Sequence, residues 1–222
     1  MPLPAHLLSE FDSALNDIAD RTLRMGSLCR EALDYAVRGL IERDAAALQH
    51  SGLCLSRLPS HDAQGTQRCL AFITRFQPVS GDLRTAFLSA RARGAFLAIG
   101  DDIQELLATA RHLLEREGRP ESRLLEPLAT RARSALGSAL SALAGNPAPI
   151  SGPGPLQEDD SAARQTDTIL LLAAAYRRNP DFPQDVFAGL ATSATLLAGL
   201  ESASSRLEVD CLACRPVWEA VY

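Results

Sequence analysis

The amino-acid sequence predicts an all-α protein, and three observations support that prediction. Leu and Ala carry most of the 46% apolar content, and both lose little conformational entropy when they become helical. Aromatic residues make up only 5% of the chain, and no segment alternates apolar and polar residues over the length of a strand. Apolar residues recur instead at steps of three and four. We therefore expect long amphipathic helices that pack side by side.

The first predicted helix is the clearest, because two parallel rows of small and apolar residues run along it. A helix of about 30 residues is roughly 45 Å long, which is typical of a helix bundle. The rows are Phe11, Leu15, Ile18, Thr22, Met25, Cys29, Ala32 and Ala36, and Leu33, Val37 and Leu40.

A second helix is predicted from Asp44 to Phe76, with an irregular interval at residues 57–65 around Pro59. The third runs from Leu83 to Gly118, and the fourth from Pro120 to Gly145. Two rows of the third helix are expected to face the core. They are Leu83, Phe87, Ala90, Gly94, Leu97 and Asp101, and Phe96, Ile99, Ile103, Leu106, Ala110 and Leu113.

The proline-rich stretch at residues 146–160 predicts a loop. A fifth helix follows at residues 161–178, and after a second proline-containing break a sixth runs over residues 184–208. Six helices with this spacing predict two tandem three-helix bundles, at residues 1–118 and 119–222, with the loop 146–160 inside the second. The duplication rests on the order of the helices, since residue identity between the halves is negligible.

Composition and motifs argue against several classes of function. The net charge of −5 disfavours a nucleic-acid partner. The Cys-x-x-Cys at residues 211–214 has no second ligand pair, as a zinc site would need. No phosphate-binding loop, Gly-x-Ser-x-Gly or His-Glu-x-x-His motif is present, so an enzyme is not expected.

The start of the sequence lacks the features of a signal peptide, and no uncharged apolar window reaches the length of a membrane span. We expect a cytoplasmic protein that does not insert into a membrane.

The stretch "RFQPVSGDLR", residues 75–84, lies between the second and third helices. Gln77 precedes Pro78 and should end the second helix, because a residue before proline is disfavoured in the α region. Ser80 or Asp82 can cap the next helix, and Asp82 also suits the helix dipole. Arg84 should point outward or pair with Asp82. On physical grounds this stretch is a helix junction.

The same residues support a resemblance. Gln77, Pro78, Asp82, Leu83 and Arg84 resemble the Q-P-x-x-x-D-L-R junction of the PhoU family of phosphate-uptake regulators. "LAIGDD" at residues 97–102 resembles a degenerate copy of that family's E-R-I-G-D motif. The first helix also fits, including its mid-helix Met-Gly. The resemblance covers the whole chain and is strongest from residue 11 to 113.

The resemblance raises the question of a metal, because a Glu and an Asp four residues apart in that family can bind transition metals. Here Leu97 stands at the Glu position, so a multinuclear cluster is not expected. Asp101, Asp102 and Glu105 could still hold one magnesium or calcium ion, and Glu201 is the candidate in the second repeat. Alternatively, Asp102 and Glu105 form a capping box at a helix restart after Gly100, or the three acids face solvent. No cofactor is predicted beyond this candidate divalent metal.

The resemblance implies a regulator of phosphate transport and the phosphate-starvation response, acting by protein-protein contact. The implied partners are the ATPase of a phosphate ABC transporter and a phosphate-sensing histidine kinase, and the implied assembly is a homodimer. One alternative is a metal-free accessory or structural bundle for another transporter, which the degenerate motif favours. The other is a carboxylate metal-binding helical protein.

Overall fold

The computed structural model describes residues 5–116, 121–145, 158–178 and 183–214. The regular elements in these ranges are all helical. The helices are α1 (Ala5–Glu42), α2 (Ala45–Leu55), α3 (Leu58–Phe76), α4 (Ser80–Leu114), a 3-10 turn (Ser122–Leu125), α5 (Glu126–Leu143), α6 (Glu158–Arg178) and α7 (Gln184–Ala213). Since α2 and α3 follow one another as a single interrupted rod, the chain forms six rods. The prediction of two three-helix bundles is confirmed.

The interruption of the second rod is shorter than the sequence predicts. Ser56 and Arg57 form a turn, and α3 starts again at Leu58 with Pro59 in its first turn. Proline is tolerated there because the first backbone N–H groups of a helix have no intrahelical acceptor. The expectation of an irregular interval through residue 65 is therefore wrong. Asp44 does cap α2, since its Oδ1 accepts a hydrogen bond from the Ala47 N–H at 3.0 Å.

In the first bundle α1 packs against α2, α3 and α4, and in the second α7 packs against α5 and α6. Contacts of α1 with α5 and of α4 with α7 join the two bundles. A single cluster of buried apolar residues extends from Met25 in α1 to Cys211 in α7. A smaller cluster of Ile18, Cys69, Phe72 and Ala86 lies apart from it, at the end of the first bundle.

The predicted domain division at residues 118 and 119 falls outside the described residues, as does most of the predicted proline-rich loop. Residues 158–160 of that loop belong to α6, so this part of the loop prediction is wrong. Acidic residues such as Glu158 are favourable in the first turn of a helix, which explains the earlier start. Helix α7 begins at Gln184 as predicted, directly after Pro183.

By length and composition alone, helix α7 is long and apolar enough to cross a membrane. The sequence-based expectation that no segment approaches this criterion is therefore too strict. The helix packs against α4, α5 and α6, and its buried side chains contribute to the main core. The core helix of a soluble bundle passes the same test.

Candidate functional site

The junction between α3 and α4 is a tight turn with two residues in the left-handed region. Helix α3 ends at Phe76, and Gln77 has φ 45° and ψ 55°. Pro78 is buried, Val79 is extended, and Ser80 opens α4 with φ 50°. Non-glycine residues rarely adopt positive φ. Two such residues around Pro78 therefore indicate a turn that the surrounding packing fixes.

The predicted cap at the start of α4 is not formed as expected. The residue at the N-cap position is Val79, whose side chain has no hydrogen-bond acceptor, while Ser80 lies inside the helix. Asp82 does occupy the first turn, as predicted. Leu83 and Arg84 are exposed, and Arg84 makes no ion pair within the described part of the chain. The structure thus exposes Gln77, Leu83 and Arg84 at the surface.

One of the two predicted core rows of α4 faces outward. Phe87 is 62% exposed and Leu83 43% exposed, while Gly94 has open space where a side chain would stand. Leu97 packs partly against the main core. The parallel row from Phe96 to Leu113 is fully buried. Both rows repeat with helical spacing, so the period could not indicate which one faces the core.

The three acidic candidates on α4 lie on the surface side of the helix. Asp101 and Glu105 are exposed, and Asp102 is partly buried. Burial raises the pKa of the Asp102 carboxyl above its usual range, and the nearby Glu105 and Asp101 carboxylates raise it further. The expectation that Asp101 lies in a core row is wrong. Within the described ranges no group of three His, Cys, Asp or Glu side chains is placed to hold a metal ion. Metal binding by these acids stays a prediction.

Glu201, the fourth metal candidate, is buried in the second bundle with 1% exposure. Its Oε1 accepts a hydrogen bond from Arg131 Nε at 2.8 Å. Arg131 Nη2 also lies 2.8 Å from Oε1, and Arg164 Nη2 lies 3.5 Å away. Glu201 Oε2 and Ser204 Oγ find no hydrogen-bond partner among the described residues. Two guanidinium groups beside one carboxylate more than offset its charge, so this environment suits a buried ion pair better than a metal cation.

Sequence reasoning missed the buried arginine of the first bundle. Arg93 on α4 is 3% exposed, and its Nε lies 3.4 Å from Asp62 Oδ1 on α3. Gly65 leaves room for it, since an added Cβ would lie 2.8 Å from Arg93 Cδ. A usable signal was present, because Arg93 occupies the buried row between Ala86 and Phe96. Arg131 and Arg164, which contact Glu201, lie in no apolar row that the sequence analysis identified.

The chain was compared with family models, with curated proteins and with solved structures. No family model matches it. It is 25% identical over 118 residues to the phosphate-specific transport system accessory protein PhoU homolog of Pseudomonas aeruginosa, covering 53% of this chain and 49% of that protein. The corresponding protein of a Burkholderia species is 26% identical over 115 residues, covering 52% of this chain and 49% of that protein. The match thus spans about half the length of these curated relatives.

The fold is similar over almost the whole chain. The crystal structure of PhoU from Pseudomonas aeruginosa superposes with a TM-score of 0.82 at 18% identity, covering 92% of this chain and 98% of that one. The phosphate transport system regulatory protein PhoU from Streptococcus pneumoniae gives a TM-score of 0.62 at 14% identity, covering 89% and 96%. The sequence similarity to curated PhoU homologues over about half of the chain and the shared arrangement of helices support a divergent member of the PhoU family.

Proposed function

We propose that this protein is an accessory regulator of phosphate transport that acts by binding other proteins. The observation that carries the proposal is the similarity to phosphate-specific transport accessory proteins, together with a helical arrangement matching that of PhoU at a TM-score of 0.82. The junction residues Gln77, Leu83 and Arg84 are exposed on a fixed turn, which suits recognition by a partner. Regulation requires no catalytic step in this chain.

In the full form of the proposal, the protein works in the cytoplasm as a homodimer and restrains the phosphate-starvation response. It binds the ATPase of a phosphate ABC transporter and a phosphate-sensing histidine kinase. Contact with both would couple transport to signalling through the two bundles. The sequence resemblance implies these partners, and the exposed helix surfaces are compatible with them.

Deletion of the gene in the source organism tests the proposal. In phosphate-rich medium we expect alkaline phosphatase activity to rise and phosphate uptake to lose its normal repression. Re-expression of the intact chain should restore both to the level of the parent strain. Unchanged phosphatase and unchanged uptake after deletion would rule out the role in phosphate signalling.

A second candidate is an accessory bundle for a different transporter, without metal. It is favoured by Leu97 and Ala98, which stand where the resembled motif has Glu and Arg. In that case the gene would neighbour a single permease rather than a phosphate ABC operon. Elemental analysis of protein purified without chelator separates both candidates from a metalloprotein. One metal per chain, lost in the variant with Asp101, Asp102 and Glu105 changed to the corresponding amides, would support the metal site.

A further inference from the structure

The exposed apolar residues of the protein are concentrated at one end of the first bundle. Ten large apolar residues are exposed in the described part of the chain. Five of them lie within 18 positions of the sequence, at the hairpin of α3 and α4. Val79 is 72% exposed and Phe87 62% exposed. Isolated apolar residues on a surface are ordinary, whereas a contiguous group marks an interaction site.

These five residues share one side of the hairpin. Cys69 Sγ lies 3.6 Å from the Ala86 carbonyl oxygen, so α3 and α4 touch at that level. Leu70 and Phe87 each follow one of these contact residues, and both point away from the buried cluster. Ile73 on α3 and Leu83 on α4 lie about one turn nearer the connection, and Val79 lies in the connection itself. We call this surface the hairpin patch, and it consists of Leu70, Ile73, Val79, Leu83 and Phe87.

The hairpin patch rests on a packed support. The rings of Phe11, Phe72 and Phe76 contact one another at centroid distances of 5.1–5.5 Å. They form part of the small core cluster beneath the hairpin. The left-handed residues Gln77 and Ser80 fix the connection. A surface that is already ordered pays little conformational entropy when a partner binds.

The segment that carries the hairpin patch is rich in arginine, whereas the whole chain is acidic. Between residues 65 and 94 there is one acidic residue, Asp82, and the net charge of the chain is −5. The basic residues of this segment are Arg68, Arg75, Arg84, Arg91 and Arg93. Arg93 is buried against Asp62, and the other four are exposed.

Three of the exposed arginines have acidic neighbours on α1 and α7. The pairs are Arg75 with Glu10, Arg68 with Asp17 at 3.7 Å, and Arg91 with Asp210 at 2.8 Å. Exposed pairs of this kind contribute about 0–1 kcal/mol, so their arginines can exchange partners at little cost. Arg84 follows Leu83, a residue of the hairpin patch, and makes no ion pair in the described ranges.

We propose that the hairpin patch is the docking surface for a partner protein that presents an apolar helix face or loop flanked by acidic side chains. This inference rests on the proposed function and names where the partner binds and what chemistry it brings. Apolar anchors supply the affinity of such an interface. The arginines orient the partner and speed its association.

The test uses the purified full chain and two purified probes, the ATPase subunit and the cytoplasmic part of the histidine kinase from the source organism. The patch variant is Leu83→Ser with Phe87→Ser. Its matched control is Leu170→Ser with Leu171→Ser, since both leucines are 57% exposed on α6. We expect the patch variant to bind at least one probe about tenfold or more weakly, and the control to bind within about twofold of the unchanged chain.

A charge variant tests the chemistry of the partner. Arg84→Glu is expected to weaken binding at low ionic strength and to reduce its dependence on salt, because exposed charges are screened as salt rises. Replacement by Lys, which keeps the charge, should retain most of the binding. If Arg84→Glu binds as tightly as the unchanged chain at low salt, the partner does not offer an acidic surface and the proposal fails in that part.

The possible outcomes separate this inference from the proposed function. If the unchanged chain binds neither probe, the proposed function fails at the level of these partners and the docking assignment falls with it. If the unchanged chain binds a probe and the patch variant binds it equally well, the partner docks elsewhere and this inference alone is overturned.

If the patch variant loses only self-association, the patch is a homodimer interface. Loss only of binding to phosphatidylglycerol vesicles would make it a membrane contact. Either result would also overturn the proposal.

Discussion

The two bundles differ in the charge that each buries. The second bundle buries the carboxylate of Glu201, which is 1% exposed. Arg131 from α5 and Arg164 from α6 approach it at 2.8 Å and 3.5 Å. Because Glu201 belongs to α7, one ion-pair cluster contacts all three helices of that bundle.

The first bundle buries a guanidinium instead. Arg93 on α4 is 3% exposed, and its polar partners in the described part of the chain both belong to α3. The distances to Asp62 and Thr66 are each 3.4 Å, longer than those at Glu201. Asp62 keeps 30% of its side chain exposed, whereas Arg93 Nε and Nη1 are buried and find no hydrogen-bond partner among the described residues.

This difference shows that burial alone does not measure what a charge contributes. The buried guanidinium of Arg93 makes only longer contacts, at 3.4 Å to Asp62 and Thr66. A glutamate has a short stem, so a buried carboxylate needs its counter-charge beside it. We therefore infer that the Glu201 cluster holds the second bundle together, whereas the first bundle tolerates changes at Arg93.

The largest effect is expected when Glu201 loses its closest partner. Arg131→Met keeps an apolar stem but leaves the carboxylate with Arg164 alone, at 3.5 Å. Breaking a buried pair from one side costs about 3 kcal/mol of unfolding free energy. Urea unfolding followed by circular dichroism measures this loss.

A double variant distinguishes a lost pair from lost packing. Arg131→Met with Glu201→Leu removes the closest pair and should recover part of the lost stability, because apolar residues can replace a buried pair at little cost, while Arg164 loses its contact with this carboxylate. If the single change costs less than about 1 kcal/mol, the cluster does not hold the bundle together and the contrast between the bundles is lost.

The same contrast shows how far sequence reasoning reaches. The six rods follow from helical periodicity, and the breaks near Pro78 and Pro183 follow from proline chemistry. Both are local properties of the chain. The ion pair between Arg131 and Glu201 joins residues 70 positions apart, and it depends on how α5 and α7 are rotated against each other. Helix periodicity carries no information about that rotation.

The prediction that the row with Leu83 and Phe87 faces the core was wrong for a related reason. The two rows along this helix are both apolar, and the row with Leu83 and Phe87 has as regular a spacing as the buried row. Solvent exposure of this apolar row departs from the rule that the apolar face of a helix packs against the core. Such a departure is expected where a surface has a function, which is the role we assign to the hairpin patch.

An intermediate effect is expected at Gly26, where the two bundles meet. A Cβ added there would lie 2.3 Å from Leu140 Cδ2 on α5 and 2.6 Å from Phe96 Cζ on α4. Because overpacking of a tight core costs about 1–3 kcal/mol, we expect Gly26→Ala to lower the unfolding free energy by about 2 kcal/mol. Differential scanning calorimetry measures the loss and shows whether the bundles still unfold in one transition.

The matched control for this change is Gly199→Ala on α7. No atom lies within 4 Å of the position its Cβ would take. Alanine favours the helix over glycine by about 0.5–1 kcal/mol, so this variant should gain stability. If Gly26→Ala gains as much as the control, the close contact at the bundle interface does not constrain the fold.

The smallest effect is expected at Arg93. Arg93→Met retains much of the apolar stem and removes a charge that is paired at 3.4 Å with a partly exposed carboxylate. Since the desolvation penalty of a buried ion offsets most of its Coulomb attraction, the unfolding free energy should change by less than about 1 kcal/mol in either direction. Asp62→Asn should cost more than Arg93→Met, because it leaves the buried guanidinium without a counter-charge. Urea unfolding of both variants compares the two losses directly. If Arg93→Met is as damaging as Arg131→Met, the arginine holds the first bundle together as firmly as Glu201 holds the second, and the two cores are equivalent.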